Sequence, residues 1–211
     1  MATNMMRALV LEEAFHLELK KVPVPEVPEG YALVRMQAVS VCGSDIHAYK
    51  GNSLLLTYPS VLGHELCGVV EQLNGPDHGF RVGERVSVFP YFSCGHCVAC
   101  RQGRDNCCTS LKVMGVHVEG GMADYVSVPI SSLVKVPEDL GPKVVALLEP
   151  LSVSAHAVRR GGVSKDDQVL VLGAGPIGVG VAEAARTTGA DVRVADVNPV
   201  RRRFVEERFG Y

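Results

Sequence analysis

The sequence has no long apolar run. Its longest mainly apolar stretch, Val169–Ala182, covers 14 residues and contains glycines, short of the roughly 18 needed to cross a membrane. There is no charge excess of one sign. Lys and Arg number 21 against 23 Asp and Glu, for a net charge of −2, so neither nucleic acid nor an anionic membrane is expected as a partner. No secretion leader is visible, because the apolar run Ala8–Leu11 is short and meets Glu12 and Glu13 at once. Internal repeats and low-complexity tracts are absent too. What remains, 211 residues at 47% hydrophobic and 21% charged, is the composition of a soluble globular chain with room for one large or two small domains.

Cysteine is not scarce. Of seven, four follow the pattern Cys94-x2-Cys97-x2-Cys100-x7-Cys108, and Cys107 stands beside the last. Spacing this close favours a metal over disulfides, and with no leader it points to a reducing, cytoplasmic setting. Four thiolates in one short lobe suit a closed tetrahedral zinc site, which is structural because no coordination position stays open. Gly95 and Gly103 permit the turns the lobe needs. An iron–sulfur cluster is the rival reading, weakened because Thr109 rather than proline follows Cys108. Cys107 is an alternative to Cys108 as the fourth ligand, and Cys67 reads as a core thiol on a strand.

A second constellation lies upstream, in Cys42-Gly43-Ser44-Asp45-Ile46-His47 and Gly63-His64-Glu65-Leu66-Cys67-Gly68. Cys42, His64 and Glu65 offer one sulfur, one imidazole and one carboxylate, a donor set that suits zinc with its fourth position open for chemistry. Ser44 and His47 are placed to pass a proton outward. Asp45 is expected to accept the second ring N–H of His64 and fix its tautomer. Glu149, a lone acid in an apolar run, is a further candidate, since a buried carboxylate needs a partner.

Short β-type runs are expected at Arg7–Leu11, Leu17–Lys21, Ala32–Ala38, Leu66–Leu73, Arg85–Phe89 and Ala123–Val128. The proline-rich link Val22–Pro28 cannot be a central strand or helix. From Pro142 the texture becomes helical, as two pieces hinged at Pro150 and stopped at Gly161-Gly162. A second β-type run then meets Gly173-Ala174-Gly175-Pro176-Ile177-Gly178 and opens a helix. Strand, Gly-x-Gly-x-x-Gly and helix form a dinucleotide signature, with phosphate placed at the helix N-terminus. The next strand, Asp191–Ala195, ends at Asp196, 23 residues after Gly173, where an acid binds the ribose hydroxyls of NAD and repels the extra phosphate of NADP. Asn198–Phe209 reads as a helix whose Arg201, Arg202, Arg203 and Arg208 form a solvated face. From Val169 to Tyr211 there are 43 residues, enough for β-α-β-α at about 30 residues per βαβ unit.

Together these motifs resemble the zinc-dependent medium-chain alcohol dehydrogenase family. The Cys-Gly-Ser-Asp-x-His motif, Gly115-Val116-His117, Glu119–Tyr125 and Glu149–Val153 are most similar to its polyol and sugar-acid branch. That branch includes sorbitol dehydrogenase-like enzymes and L-gulonate or L-galactonate 5-dehydrogenases, with threonine dehydrogenase a nearer cousin than ethanol dehydrogenase. The resemblance implies a GroES-like zinc-binding β domain over residues 1–150 and the first half of a Rossmann domain over residues 151–211. It implies a catalytic zinc on Cys42, His64 and either Glu65 or Glu149, a structural zinc on Cys94, Cys97, Cys100 and Cys108, and a proton relay through Ser44 and His47. Gly173, Gly175, Pro176, Ile177, Gly178, Asp196 and Arg201 are the residues expected to meet NAD. The implied activity is oxidation of a secondary alcohol of a small polyol or sugar acid, with L-threonine as an alternative substrate. The remaining strands of the nucleotide sheet are missing, so the chain is expected to be a fragment, inactive alone, of an enzyme that forms homodimers or homotetramers. The rival expectation is a zinc-binding remnant that acts, if at all, as a binding module.

Overall fold

A computed structural model describes residues 4–211. Its backbone contacts divide it into two units, the first ending at Leu147 and the second running Leu148–Tyr211.

The first unit is mainly antiparallel β. Strands β1 (Met5–Glu13) and β2 (His16–Pro23) form a hairpin, and β3 is Tyr31–Ser40. Helix α1 (Gly43–Tyr49), β4 (Ser60–Val61), β5 (Glu65–Asn74) and β6 (Arg85–Val88) follow. The lobe and its exit contain β7 (Tyr91–Phe92), the short helix α2 (Val98–Arg101) and β8 (Lys112–Val113). Strands β9 (Tyr125–Pro129) and β10 (Leu133–Lys135) and helix α3 (Pro142–Ala146) complete the unit.

Five strands order as β10-β6-β5-β3-β9, three as β2-β1-β4, and β7 pairs with β8. Alternation along β3, β5, β6 and β9 turns Val34, Leu66, Val70, Val86 and Val128 into one apolar core, each at most 1% exposed. Fully burying each such side chain contributes about 1.5–3 kcal/mol. Val24–Pro28 lies outside any strand, as its prolines dictate.

Strands β3 and β5 do not pair in a simple register. Met36 opposes Gly68, but Ala38 opposes Cys67, which leaves Gln37 as an extra residue on β3. This bulge offsets an earlier one at Glu71 of β5, between Leu33 opposite Gln72 and Val34 opposite Val70, so the end of β3 returns to its starting register with Ser40 opposite Glu65.

In the second unit, helix α4 (Leu148–Gly161) precedes β11 (Gln168–Leu172), α5 (Pro176–Arg186), β12 (Asp191–Ala195) and α6 (Pro199–Phe209). Strands β11 and β12 are parallel and in register from Gln168 opposite Asp191 to Leu172 opposite Ala195. The expected hinge at Pro150 is corrected: the helical break falls at Leu147, the C-cap of α3. Pro150 sits in the first turn of α4, where a missing N–H costs little because that group has no intrahelical acceptor. Helices α4 and α5 approach at Ser154 and Gly180, where a Cβ on the glycine would lie 2.5 Å from Ser154 Oγ. Asn198 caps α6, its side chain accepting the Val200 N–H at 2.9 Å.

Candidate metal and nucleotide sites

Cys42 is the N-cap of α1 and His64 and Glu65 stand at the start of β5, so two chain segments must be held together. Asp45 holds them. One of its oxygens accepts the Cys42 backbone N–H at 2.9 Å and the other accepts the Gly63 backbone N–H at 3.3 Å. The expected bond from the His64 ring is not made, because Asp45 Oδ1 lies 3.8 Å from His64 Nδ1, beyond hydrogen-bond range. The carboxylate is instead engaged by the backbone, in the reciprocal capping arrangement of the first helical turn. Burial pushes the Asp45 carboxyl above its usual range, opposed by these N–H donors and by His64.

The side chains of Cys42, His64 and Glu65 bring one sulfur, one nitrogen and one oxygen within 4.8 Å of one another. His64 is 8% and Glu65 5% exposed. A hydrogen bond with His64 draws the Cys42 thiol below its usual range against partial burial, and the Ser44 hydroxyl and N–H act in the same direction. A thiol biased toward thiolate, an imidazole and a carboxylate form a set that fits a divalent zinc ion. Ser44 and His47 are both exposed on α1, one turn apart. Glu149 lies in the second unit, in the first turn of α4.

Two residues to which the sequence pattern assigns no role at this site also support it. The Ser40 hydroxyl donates to the Glu65 carboxylate, and the Glu119 carboxylate accepts the Val61 N–H at 2.7 Å. The backbone after Glu119 fastens the segment before His64, with Gly120 N–H to Val61 O at 2.7 Å and Gly121 N–H to Gly63 O at 2.8 Å. The signals were present but weak: a hydroxyl two residues before Cys42, and an acid directly before paired glycines.

In the lobe, the sulfurs of Cys94, Cys97, Cys100 and Cys108 also lie within 4.8 Å of one another, whereas Cys107 is exposed. Backbone N–H groups point at them, from Cys94 to Cys108 Sγ at 3.3 Å and from Cys97 to Cys94 Sγ at 3.4 Å. Donors aimed at sulfur stabilise thiolates, so this set also fits zinc. The Cys97 thiol is lowered to about 6, first by the Cys100 backbone N–H and next by that of Thr109. Cys94 is lowered as well, whereas desolvation pushes Cys100 up to about 12.

In the second unit, the loop Gly173–Gly175 joins β11 to α5. A Cβ on Gly178 would lie 1.8 Å from Gly173 O, so only glycine lets the helix start this close to the loop. Asp196, just past β12, accepts the Ala174 N–H and the Asn198 N–H at 2.7 Å each. These two donors, Asn198 first, hold its carboxyl below the usual range. Arg201 Nη1 stands 3.7 Å from Asp196 Oδ2. Pro176 and Ile177 form the first turn of α5. An ionised acid beside a close-packed glycine turn fits a dinucleotide with free ribose hydroxyls.

Residues 28–138, more than half of the chain, match the alcohol dehydrogenase GroES-like domain. The chain belongs to the zinc-type medium-chain alcohol dehydrogenase family. Residues 151–211 of this family member match the alanine dehydrogenase/PNT C-terminal domain. The chain is 42% identical over 203 residues to an L-galactonate-5-dehydrogenase of Escherichia coli K12, covering 96% of this chain and 59% of that protein. A zinc-binding dehydrogenase of Sinorhizobium meliloti 1021, solved with NADP, superposes with a TM-score of 0.90 at 35% identity, over 97% of this chain and 60% of that one. An alcohol dehydrogenase of Escherichia coli CFT073, solved with NADH, gives a TM-score of 0.79 at 33% identity, over 96% and 66%. The chain thus spans about three-fifths of the length of the curated relatives it matches. Among the described residues, no helix is long and apolar enough to cross a membrane.

Proposed function

We propose that this chain carries the metal-binding and nucleotide-binding parts of a dehydrogenase that oxidises a secondary alcohol of a polyol or sugar acid and passes hydride to NAD. The observation that carries this reading is the cluster of half-buried Cys42 with buried His64 and Glu65, its donor atoms within 4.8 Å. Relatives that act on L-galactonate or its deoxy derivative support the substrate class.

Cys42, His64 and Glu65 would hold the zinc, which would supply Lewis acidity that favours deprotonation of the substrate alcohol. The rest is done by the chain's own residues. Asp45 keeps the segments bearing Cys42 and His64 in place. Ser44 Oγ takes the substrate proton as its own hydroxyl proton leaves toward the exposed His47 ring, one turn on along α1, which releases it to solvent. The four cysteines of the lobe would hold a second zinc, fixing the fold and taking no part in the reaction. In the second unit, Gly173, Gly175, Pro176, Ile177 and Gly178 would admit the pyrophosphate of NAD, Asp196 would accept from its ribose hydroxyls, and Arg201, beside Asp196, would be a further residue that meets it.

The test supplies NAD with a panel of polyols and aldonates and follows reduced nicotinamide by absorbance. It is run on this chain and on a version extended to the length of its relatives. Reduction by at least one panel member in the extended version, lost in Cys42→Ala, is the expected result. No reduction in either version with any member contradicts the reading.

A further inference from the structure

Ser40 and Glu65 are direct partners across β3 and β5, and the Ser40 hydroxyl donates to the Glu65 carboxylate. Two offsetting bulges precede that pairing: Glu71 is the extra residue on β5, between Leu33 opposite Gln72 and Val34 opposite Val70, and the bulge at Gln37 on β3 restores the starting register. Counting on from Met36 opposite Gly68 without the extra residue, Val39 would oppose Glu65 and Ser40 would oppose His64. One inserted residue exchanges a methyl-bearing neighbour for a hydroxyl. Gln37 is itself held in place, its side-chain oxygen accepting Arg85 Nε–H at 3.1 Å.

We propose that Ser40 is a positioning residue for the metal centre, holding the Glu65 carboxylate toward Cys42 and His64. The inference rests on the zinc reading of that site. Glu65 is 5% exposed, and among the described residues no Lys or Arg forms an ion pair with it. A buried carboxylate in this setting needs donors or a cation. With two oxygens and about four lone-pair directions, it can accept from Ser40 and still ligate a metal. The hydroxyl therefore reduces the number of carboxylate orientations that compete with ligation, as outer-shell partners do at metal sites. Ser40 is also two residues before Cys42, so the same end of β3 delivers one ligand and orients another.

The test follows zinc release from the loaded chain into an excess of a chelating dye. The phase that disappears in Cys97→Ser belongs to the cysteine lobe, and the other phase reports the Cys42 site. Ser40→Ala is expected to speed the second phase about 10-fold or more and to leave the lobe phase unchanged. Ser40→Thr, which keeps the hydroxyl, is expected to stay near wild type. On a Glu65→Gln background, Ser40→Ala is expected to add little, because the pair acts as a unit. Two zinc equivalents with unchanged release in Ser40→Ala would overturn the role of Ser40 alone. So would equal acceleration of both phases, or the same acceleration with and without Glu65. A wild-type chain that releases zinc from the lobe only would overturn the metal site together with the role of Ser40.

Discussion

The Asp45 carboxylate accepts the backbone N–H of Cys42 at 2.9 Å while its second oxygen accepts that of Gly63 at 3.3 Å. One side chain thus joins the start of α1 to the residue before His64. Asp45→Asn would turn an amide N–H toward one of these donors and leave it unsatisfied. A buried donor without an acceptor costs about 1–3 kcal/mol. The denaturant midpoint of Asp45→Asn is expected to fall accordingly, and an unchanged midpoint would show that Asp45 does not tie the segments.

The loop after Glu119 has to approach the His64 segment closely. A Cβ on Gly120 would lie 2.2 Å from Leu62 O, a backbone atom that has little freedom to move. Gly120→Ala is expected to destabilise the first unit by about 1–3 kcal/mol or more, the range for overpacking a tight core. Equilibrium unfolding checks this, and a neutral substitution would mean that the loop is free to shift.

Much of this fold is legible from pattern. The prolines of the Val24–Pro28 link, the alternation along β3 and β5, and the run from β11 through Gly173 to α5 each carry a local signal. So does the lobe, since closely spaced cysteines have few other uses. What stays hidden depends on register and backbone. The bulges at Glu71 and Gln37 have no sequence mark, so the pairing of β3 with β5 between them cannot be counted out in advance. Asp45 looks like a partner for an imidazole, but the backbone N–H groups of Cys42 and Gly63 engage its two oxygens instead. Pro150 looks like a breaker, yet three residues into a helix it removes only an N–H that was idle.

Stability should depend on acid through Asp124. Its carboxylate accepts the Arg7 guanidinium Nη2 at 2.8 Å and the Arg7 backbone N–H at 2.8 Å. The Arg7 side chain first, and then its backbone N–H, hold the Asp124 carboxyl below its usual range. A group depressed in the folded state contributes stability that is fully present above its unfolded pKa, about 3.9, and lost as pH falls through the folded value. Asp124→Asn should therefore be less stable than wild type at about pH 7, with the gap closing below about pH 4. A gap that stays constant across a series of denaturant midpoints would contradict this assignment.

The Asp196 carboxylate sets the expected nucleotide preference. Held below its usual range by the N–H groups of Asn198 and Ala174, it is ionised at neutral pH and disfavours a 2′-phosphate. Asp196→Ser is expected to shift the ratio of NAD to NADP affinity toward NADP by about 10-fold, or ~1.4 kcal/mol. Calorimetric titration with each nucleotide checks it. An unchanged ratio would assign the discrimination to other residues, with Arg201, 3.7 Å from Asp196, the first to examine.

Metal content tests the central claim most directly, because the first unit is read as a scaffold around two zinc sites of different kinds. Elemental analysis of the purified chain should give close to two zinc per chain. Cys97→Ser should leave about one, and His64→Ala about one, since the sites have separate ligands and a closed thiolate site binds independently. Iron in place of zinc, no metal, or the loss of both equivalents in either variant would contradict the account.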